Sequence, residues 1–161
     1  MKKRASKIIT IFTLCALAAT VVSAQPRTDL QLRRALYFTG NNPSAIDMKN
    51  DKYVAENGVM NIKKSEAFKT EGAYFYFYLG FIAFRDPAGP QFQTYVQYQS
   101  KLQSIGNTTT FLNNEKSRQG VFPLKLQTGR NVIKVVIDPF QKTTETDENN
   151  NSFTVTIVVV D

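Results

Sequence analysis

Oxygen-bearing side chains crowd one short stretch of the chain, residues 138–152, which reads DPFQKTTETDENNNS. Four acidic side chains and three consecutive asparagines lie there between two strongly apolar runs. Carboxylate and amide oxygens are the ligands that calcium takes, about 6–8 of them in flexible geometry. A loose calcium site using Asp138, Glu145 and Asp147 is therefore one hypothesis for this stretch.

An EF-hand is excluded by the second half of the pattern. Asp147 and the residues that follow it resemble the start of such a loop. However, Ser152 stands where the sharp turn needs glycine, and Val158 stands where the bidentate glutamate belongs. The run after Ser152 is also typical of a strand and not of a helix.

The structural alternative is that residues 138–152 only connect two strands. Asp138-Pro139 ends a strand because proline has no N–H to donate to a continuing ladder. Asparagine and aspartate side chains bond to nearby backbone groups and favour tight reversals. We expect Asp138, Glu145 and Asn150 to tie the ends of the two final strands together. The expected cofactor is none, with calcium as the alternative.

Missing residue types exclude most catalytic chemistry. The chain has no histidine and no tryptophan, and Cys15 is its single cysteine. Ser-His-Asp and Cys-His catalysis, the usual zinc sites and haem ligation through His or Cys are thereby excluded. A carboxylate hydrolase using pairs among the four acids of residues 138–152 is the remaining enzymatic alternative. We predict a protein that is not an enzyme, because nothing near these acids indicates a substrate cleft.

The first 24 residues have the pattern of a secretory signal peptide. Basic residues precede an apolar stretch, Ile8 to Val22, and Val22-Ser23-Ala24 offers small residues for cleavage before Gln25. We predict a signal peptide over 1–24 and a single domain over 25–161. The mature protein is expected to be secreted or periplasmic, with no membrane association once the signal is removed.

Charge indicates no nucleic-acid partner. The whole chain carries a formal charge of +7, but four of its 20 basic residues lie in the predicted signal. The remaining 16 basic residues face 13 acidic ones and are scattered along the sequence. A nucleic-acid footprint would cluster them in a patch or stripe.

Alternation of apolar residues predicts strands throughout the mature chain. Residues 73–84 and 92–100 alternate between two faces, and the runs 131–137 and 153–160 are β-branched without a helical period. Further strands are expected at 29–38, 54–62 and 67–70, and a pair at 107–112 and 121–126. About seven short strands separated by turn signals indicate an all-β, antiparallel sandwich.

Tyrosines on one face of the 73–84 strand are a candidate ligand-binding strip. An exposed aromatic strip can stack on sugars or on a protein partner. The alternative is ordinary packing, since strands favour tyrosine. The candidate residues are Tyr74, Tyr76, Tyr78 and Tyr95.

The segment 129–160 resembles the closing hairpin of the CARDB family, the cell-adhesion-related domain found in bacteria. That hairpin has a glycine, a strand ending in Asp-Pro, a short loop with Glu-x-x-Glu-x-Asn-Asn, and a last strand. Asp29-Leu30 resembles the family's opening strand. The matching positions of the hairpin are Gly129, Asp138, Pro139, Glu145, Glu148, Asn150 and Asn151, and Asn149 with Asn150 is the alternative for the last two, since three asparagines follow one another.

The resemblance implies an immunoglobulin-like β-sandwich that serves as a module of bacterial surface or secreted proteins. It also implies adhesion and no catalytic residues. We therefore expect a non-catalytic binding or adhesion module whose partner is a protein or a polysaccharide at the cell surface. A carbohydrate-binding module that uses the tyrosine strip is the alternative.

Overall fold

The computed structural model describes residues 28–40 and 45–161. The predicted signal peptide, residues 1–24, lies outside these ranges. None of the helices in the described residues is long and apolar enough to span a membrane.

The described residues form eleven strands and two short 3-10 helices, Lys64–Glu66 and Glu148–Asn150. The strands are β1 (Asp29–Leu32), β2 (Ala35–Phe38), β3 (Lys52–Ala55), β4 (Val59–Lys63), β5 (Lys69–Glu71), β6 (Tyr74–Asp86), β7 (Phe92–Gln99), β8 (Ser104–Phe111), β9 (Ser117–Gln127), β10 (Gly129–Ile137) and β11 (Ser152–Val160).

These strands build two sheets. The long strand β6 is the centre of a six-stranded sheet, with β9 along one edge and β1, β2 and β5 along the other, and β3 beyond β2. The second sheet has the order β4-β11-β10-β7-β8. The predicted all-β sandwich is confirmed, with more strands than the expected seven. Every pair is antiparallel except β4 with β11.

Alternate side chains of both sheets meet in one core. Phe77, Leu79 and Phe81 of β6 and Ile133 and Val135 of β10 are fully buried there, as the predicted alternation requires. Complete burial of such side chains stabilises the fold by about 1.5–3 kcal/mol each.

Tyr98 of β7 is also fully buried in this core. Its ring packs edge-on against Phe81 and Phe122, and its hydroxyl donates to the carbonyl oxygen of Leu79 at 3.3 Å. The hydrogen bond satisfies the single polar group that the side chain brings into the core.

Two segments predicted as single strands are broken. Residues 29–38 divide at Arg33 and Arg34, so that β1 and β2 pair with different parts of β6. Residues 54–62 divide at Asn57, which has a left-handed φ of 60°. Asparagine tolerates that conformation, and the reversal carries the chain from β3 in one sheet to β4 in the other.

The predicted pair 107–112 and 121–126 is wrong as a pair. Both segments are strands, but β8 pairs with β7 and β9 pairs with β6, in different sheets. Their connection crosses from one sheet to the other, and alternation alone does not reveal such a crossing.

Arg85, a buried residue at the end of β6, fastens two of the connecting loops. Its guanidinium donates to the carbonyl oxygens of Gly89 at 2.9 Å and Pro90 at 2.6 Å in one loop. In the other it donates to those of Leu112 and Glu115, each at 2.7 Å. The planar fork of an arginine suits this arrangement, because its donors point in several fixed directions.

Candidate functional site

The loop between β10 and β11 begins with a turn built on Asp138. This buried residue has a left-handed φ of 47°. Its carboxylate accepts hydrogen bonds from the backbone N–H groups of Lys142 at 3.1 Å and Thr143 at 2.7 Å. The aspartate is therefore the acceptor that shapes the first turn, next to the half-buried Pro139.

Glu145 connects this loop to the first strand of the other sheet. Its carboxylate is buried and accepts from the backbone N–H of Leu30 at 2.8 Å and from Asn151 Nδ2 at 3.2 Å. Burial raises the pKa of the Glu145 carboxyl to about 7, the two hydrogen bonds oppose that rise, and the charges of Glu148 and Asp138 add to it.

The asparagine run extends the same connection. Asn150 Nδ2 donates to both carboxylate oxygens of Asp29 at 3.3 Å, and Glu148 accepts from Asn151 Nδ2 at 3.1 Å. Asp147 accepts from the backbone N–H of Asn149. Glu145 thus bonds both to β1 and within the loop, whereas the hydrogen bonds of the Asn150 side chain run to β1.

The remaining motif glycine starts β10. Gly129 has a φ of 86°, in the left-handed region that favours glycine.

Across the described ranges, no group of three or more His, Cys, Asp or Glu side chains is placed to hold a metal ion. The expectation of no cofactor stays a prediction, with calcium at Asp138, Glu145 and Asp147 as its alternative.

Three of the candidate tyrosines share a face that neighbouring side chains partly cover. Phe68 stacks on Tyr78 with ring centroids 4.1 Å apart. The Tyr76 hydroxyl donates to Glu71 at 2.6 Å, and the side-chain amine of Lys125 lies 4.1 Å from the ring centroid of Tyr74. These rings are half-buried and already have partners on their own sheet.

Tyr95 does not belong to that strip. It lies on β7 in the five-stranded sheet, where its ring packs 5.5 Å from that of Phe140. The prediction that it joins the other three tyrosines is wrong because β6 and β7 belong to different sheets.

A second candidate surface is the outer face of the five-stranded sheet, meaning the side chains that point away from the other sheet. Val59 and Val132 on this face are 64% and 45% exposed, whereas Phe140 packs against Tyr95 at one end and Thr156 is buried. Its members are Val59, Asn61, Lys63, Gln93, Tyr95, Gln97, Gln99, Ser104, Gly106, Thr108, Thr110, Arg130, Val132, Lys134, Val136, Ser152, Thr154, Thr156, Val158 and Val160.

Every charge on the outer face is positive. Lys63, Arg130 and Lys134 are exposed, and no acidic side chain is among the members. Polar side chains lie beside the cations. Gln99 Nε2 donates to Gln97 Oε1 at 2.8 Å, and Gln97 Nε2 donates to Ser104 Oγ at 2.7 Å.

A groove of about 360 Å³ lies at one end of the outer face. Two cations, Lys101 and Arg130, line it together with Ser100, Leu102, Gln127, Asn131 and Val132. The Asn131 side chain is buried and is held by the backbone of Gln127, accepting from its N–H at 3.1 Å and donating to its carbonyl at 2.8 Å.

Sequence reasoning missed this surface. The signal is present in the outward positions of β4, β10 and β11, which alternate with the buried ones and contain no acid. These positions form one surface only because the strands lie side by side in the order of the sheet. The sequence did not predict that order, since it gave no sign that β4 pairs with β11 in parallel.

No protein-family model matches the sequence. No curated protein matches it either. Solved structures similar to this chain include two of a CARDB domain. Both are of one domain from Pyrococcus furiosus, and they are 15% and 14% identical to this chain. CARDB domains, which the closing hairpin resembles, are thus among the solved structures similar to this chain.

The solution NMR structure of that domain has a TM-score of 0.49, with 84% of this chain and 98% of the other covered. The crystal structure, solved in complex with di-metal ions, has a TM-score of 0.41, with 83% and 86% covered. The N-terminal domain of PorA is 8% identical, with a TM-score of 0.37 and 83% and 97% covered. The chain is a small β-domain.

Proposed function

We propose that this chain is an exported, non-catalytic binding module that contacts a partner at the cell surface through the outer face. The observation that carries the proposal is the openness of that face and its single sign of charge. A surface whose charges all have one sign attracts a partner of opposite charge from a distance and orients its approach. Export rests on the signal-peptide pattern of residues 1–24.

The hydrogen bonds of the acidic side chains in the loop between β10 and β11 support the proposal that the protein is not an enzyme. Asp138, Glu145 and Asp147 each accept a hydrogen bond from a backbone N–H group of a nearby or distant segment. Carboxylates engaged in this way hold the fold together. A hydrolase would instead need a pair of acids facing a substrate.

Site-specific blocking tests the proposed surface. Cys15 lies in the predicted signal peptide, so a cysteine introduced into the mature protein is its single thiol. We expect a bulky maleimide on Val132→Cys, on the outer face, to weaken binding to the producing organism's cell envelope by about tenfold or more, equivalent to about 1.4 kcal/mol.

The matched control is the same label on Tyr53→Cys, a 62% exposed position of β3 in the other sheet. We expect that label to leave binding unchanged. A label on Lys69→Cys addresses the tyrosine strip. Loss of binding there, with the Val132 label without effect, would move the binding surface to the tyrosines and reject the outer face.

A further inference from the structure

We propose that the partner of the outer face is an acidic polysaccharide, whose anionic groups bind Arg130 and Lys134 along the sheet and Lys101 in the adjoining groove. This inference rests on the proposed function, because it assigns a chemistry to the partner of the same surface.

Arg130 and Lys134 of the outer face and Lys101 of the groove have no acidic partner in the part of the chain that the structure describes. None of the ion pairs within the described ranges involves Lys101, Arg130 or Lys134. The residues outside those ranges contain no acidic side chain that would pair with them. By contrast, cations elsewhere, such as Lys52 and Arg34, have glutamate partners at 2.7 Å. An anion at the outer face therefore displaces no acidic partner and, among the described residues, competes only with the 3.5 Å hydrogen bond from Arg130 to the Thr156 hydroxyl.

The spacing of the cations fits an extended polymer. Arg130 and Lys134 are four residues apart on one strand, about 13 Å at the usual rise of a strand. That separation exceeds the Debye length of about 8 Å at physiological ionic strength. The two cations therefore act as separate weak sites, and a chain with repeated charges gains by binding both.

The groove adds a third cation at the end of this path. Lys101 comes from the loop between β7 and β8, whereas Arg130 comes from β10, and both line the same concavity. The hydroxyl of Ser100 and the carboxamide of Gln127 lie beside them. A carboxylate or sulfate on a sugar ring finds there both opposite charge and hydrogen-bond partners for hydroxyl groups.

Val132 lies between Arg130 and Lys134 on β10, but the chemistry beside Lys134 favours a saccharide over a protein. Lys134 lies in a cross-strand row with Ser104, Gln99 and Thr154, which present hydroxyl and amide groups. Protein interfaces usually have an apolar, aromatic-rich centre. Here Tyr95 is the sole aromatic member of the outer face, at its far end. Single-stranded nucleic acids would likewise call for stacking platforms.

Binding of the mature protein to immobilised polygalacturonate tests the proposal. We expect measurable binding that weakens as salt increases, and no binding to neutral dextran. The double variant Arg130→Gln/Lys134→Gln should lose about tenfold or more in affinity. The control variant Lys69→Gln/Lys125→Gln removes the same charge from the tyrosine face and should lose less than about twofold. Thermal melting of both variants confirms that they fold.

Three results would overturn the inference. Equal losses in the two variants would mean that net charge alone drives binding. Tighter binding to poly-L-glutamate, or to single-stranded DNA, than to polygalacturonate would assign a different polymer. Absence of binding to polygalacturonate and to a sulfated polysaccharide, while the Val132 label still blocks envelope binding, would reject the acidic polysaccharide and leave the proposed binding surface in place.

Discussion

The protonation of the Glu145 carboxyl makes the stability of the protein depend on pH. This residue bonds the loop between β10 and β11 to β1. Its pKa in the folded protein is about 7, against 4.5 for an ordinary glutamate. Between these values the folded state holds a proton that the unfolded state has lost. Stability from this group is therefore complete below about pH 4.5 and is lost as the pH rises through about 7.

Glu145→Gln removes this titration because the amide imitates the protonated carboxyl. We expect the stability of the variant relative to wild type to increase by about 1–3 kcal/mol between pH 5 and pH 8. Urea unfolding at several pH values measures the difference. Parallel curves for the two proteins would show that Glu145 does not carry the shift.

Calcium is expected to leave stability unchanged. Backbone N–H groups already bond to the carboxylates of Asp138, Glu145 and Asp147. However, Asn150 and Asn151 each bury an Oδ1 that has no hydrogen-bond partner within the described residues. Melting temperatures measured in millimolar calcium and in chelator test whether calcium binds, since a ligand that binds the folded state raises the melting temperature. A rise of several degrees with calcium, absent in Glu145→Gln, would establish a metal site.

At the scale of elements, Arg85 determines how well two loops are held to the end of β6. Lysine at this position keeps the positive charge but loses the fork that reaches four carbonyl groups. We expect Arg85→Lys to lower the free energy of unfolding by about 2–4 kcal/mol, because buried carbonyls lose their donors. Chemical denaturation measures this loss, and a change below about 0.5 kcal/mol would contradict the role.

Two tyrosines on neighbouring strands along the chain should respond differently to truncation. Tyr98 is fully buried, so Tyr98→Ala is expected to cost about 3–5 kcal/mol. Tyr76 is half-buried and bonds to the exposed Glu71, so Tyr76→Ala should cost about 1 kcal/mol. Denaturant melts of both variants give the comparison. Similar losses at the two positions would show that the tyrosine face is as tightly packed as the core.

Elements whose signal is local were predictable from the sequence. The alternation in β6 and β7 and the β-branched runs of β10 and β11 follow from burial of one face. Breaks and pairings were not predictable in this way. The division at Arg33 and Arg34 depends on where β6 offers partners, and Glu145 bonds to Leu30 across 115 positions of the chain.

On the scale of the whole molecule, one continuous core predicts one unfolding transition. The core includes side chains from both sheets and from every described strand except β5. We expect circular dichroism of the mature protein to show a β-type spectrum and a single cooperative loss of structure. The transition should be the same with and without reductant, because Cys15 lies in the predicted signal peptide and residues 25–161 contain no cysteine. Two resolved transitions would mean that the sheets unfold separately.

The parallel pairing of β4 with β11 has a consequence for how the protein is made. Among the described strands, β4 pairs with β11 alone, at residues 59–63 and 156–160. A growing chain that has not yet reached these later residues lacks the strand that joins β4 to β10. Pairings of such long sequence separation also form slowly. Until residues 152–160 have been synthesised, β4 therefore has no strand to pair with and the five-stranded sheet stays incomplete.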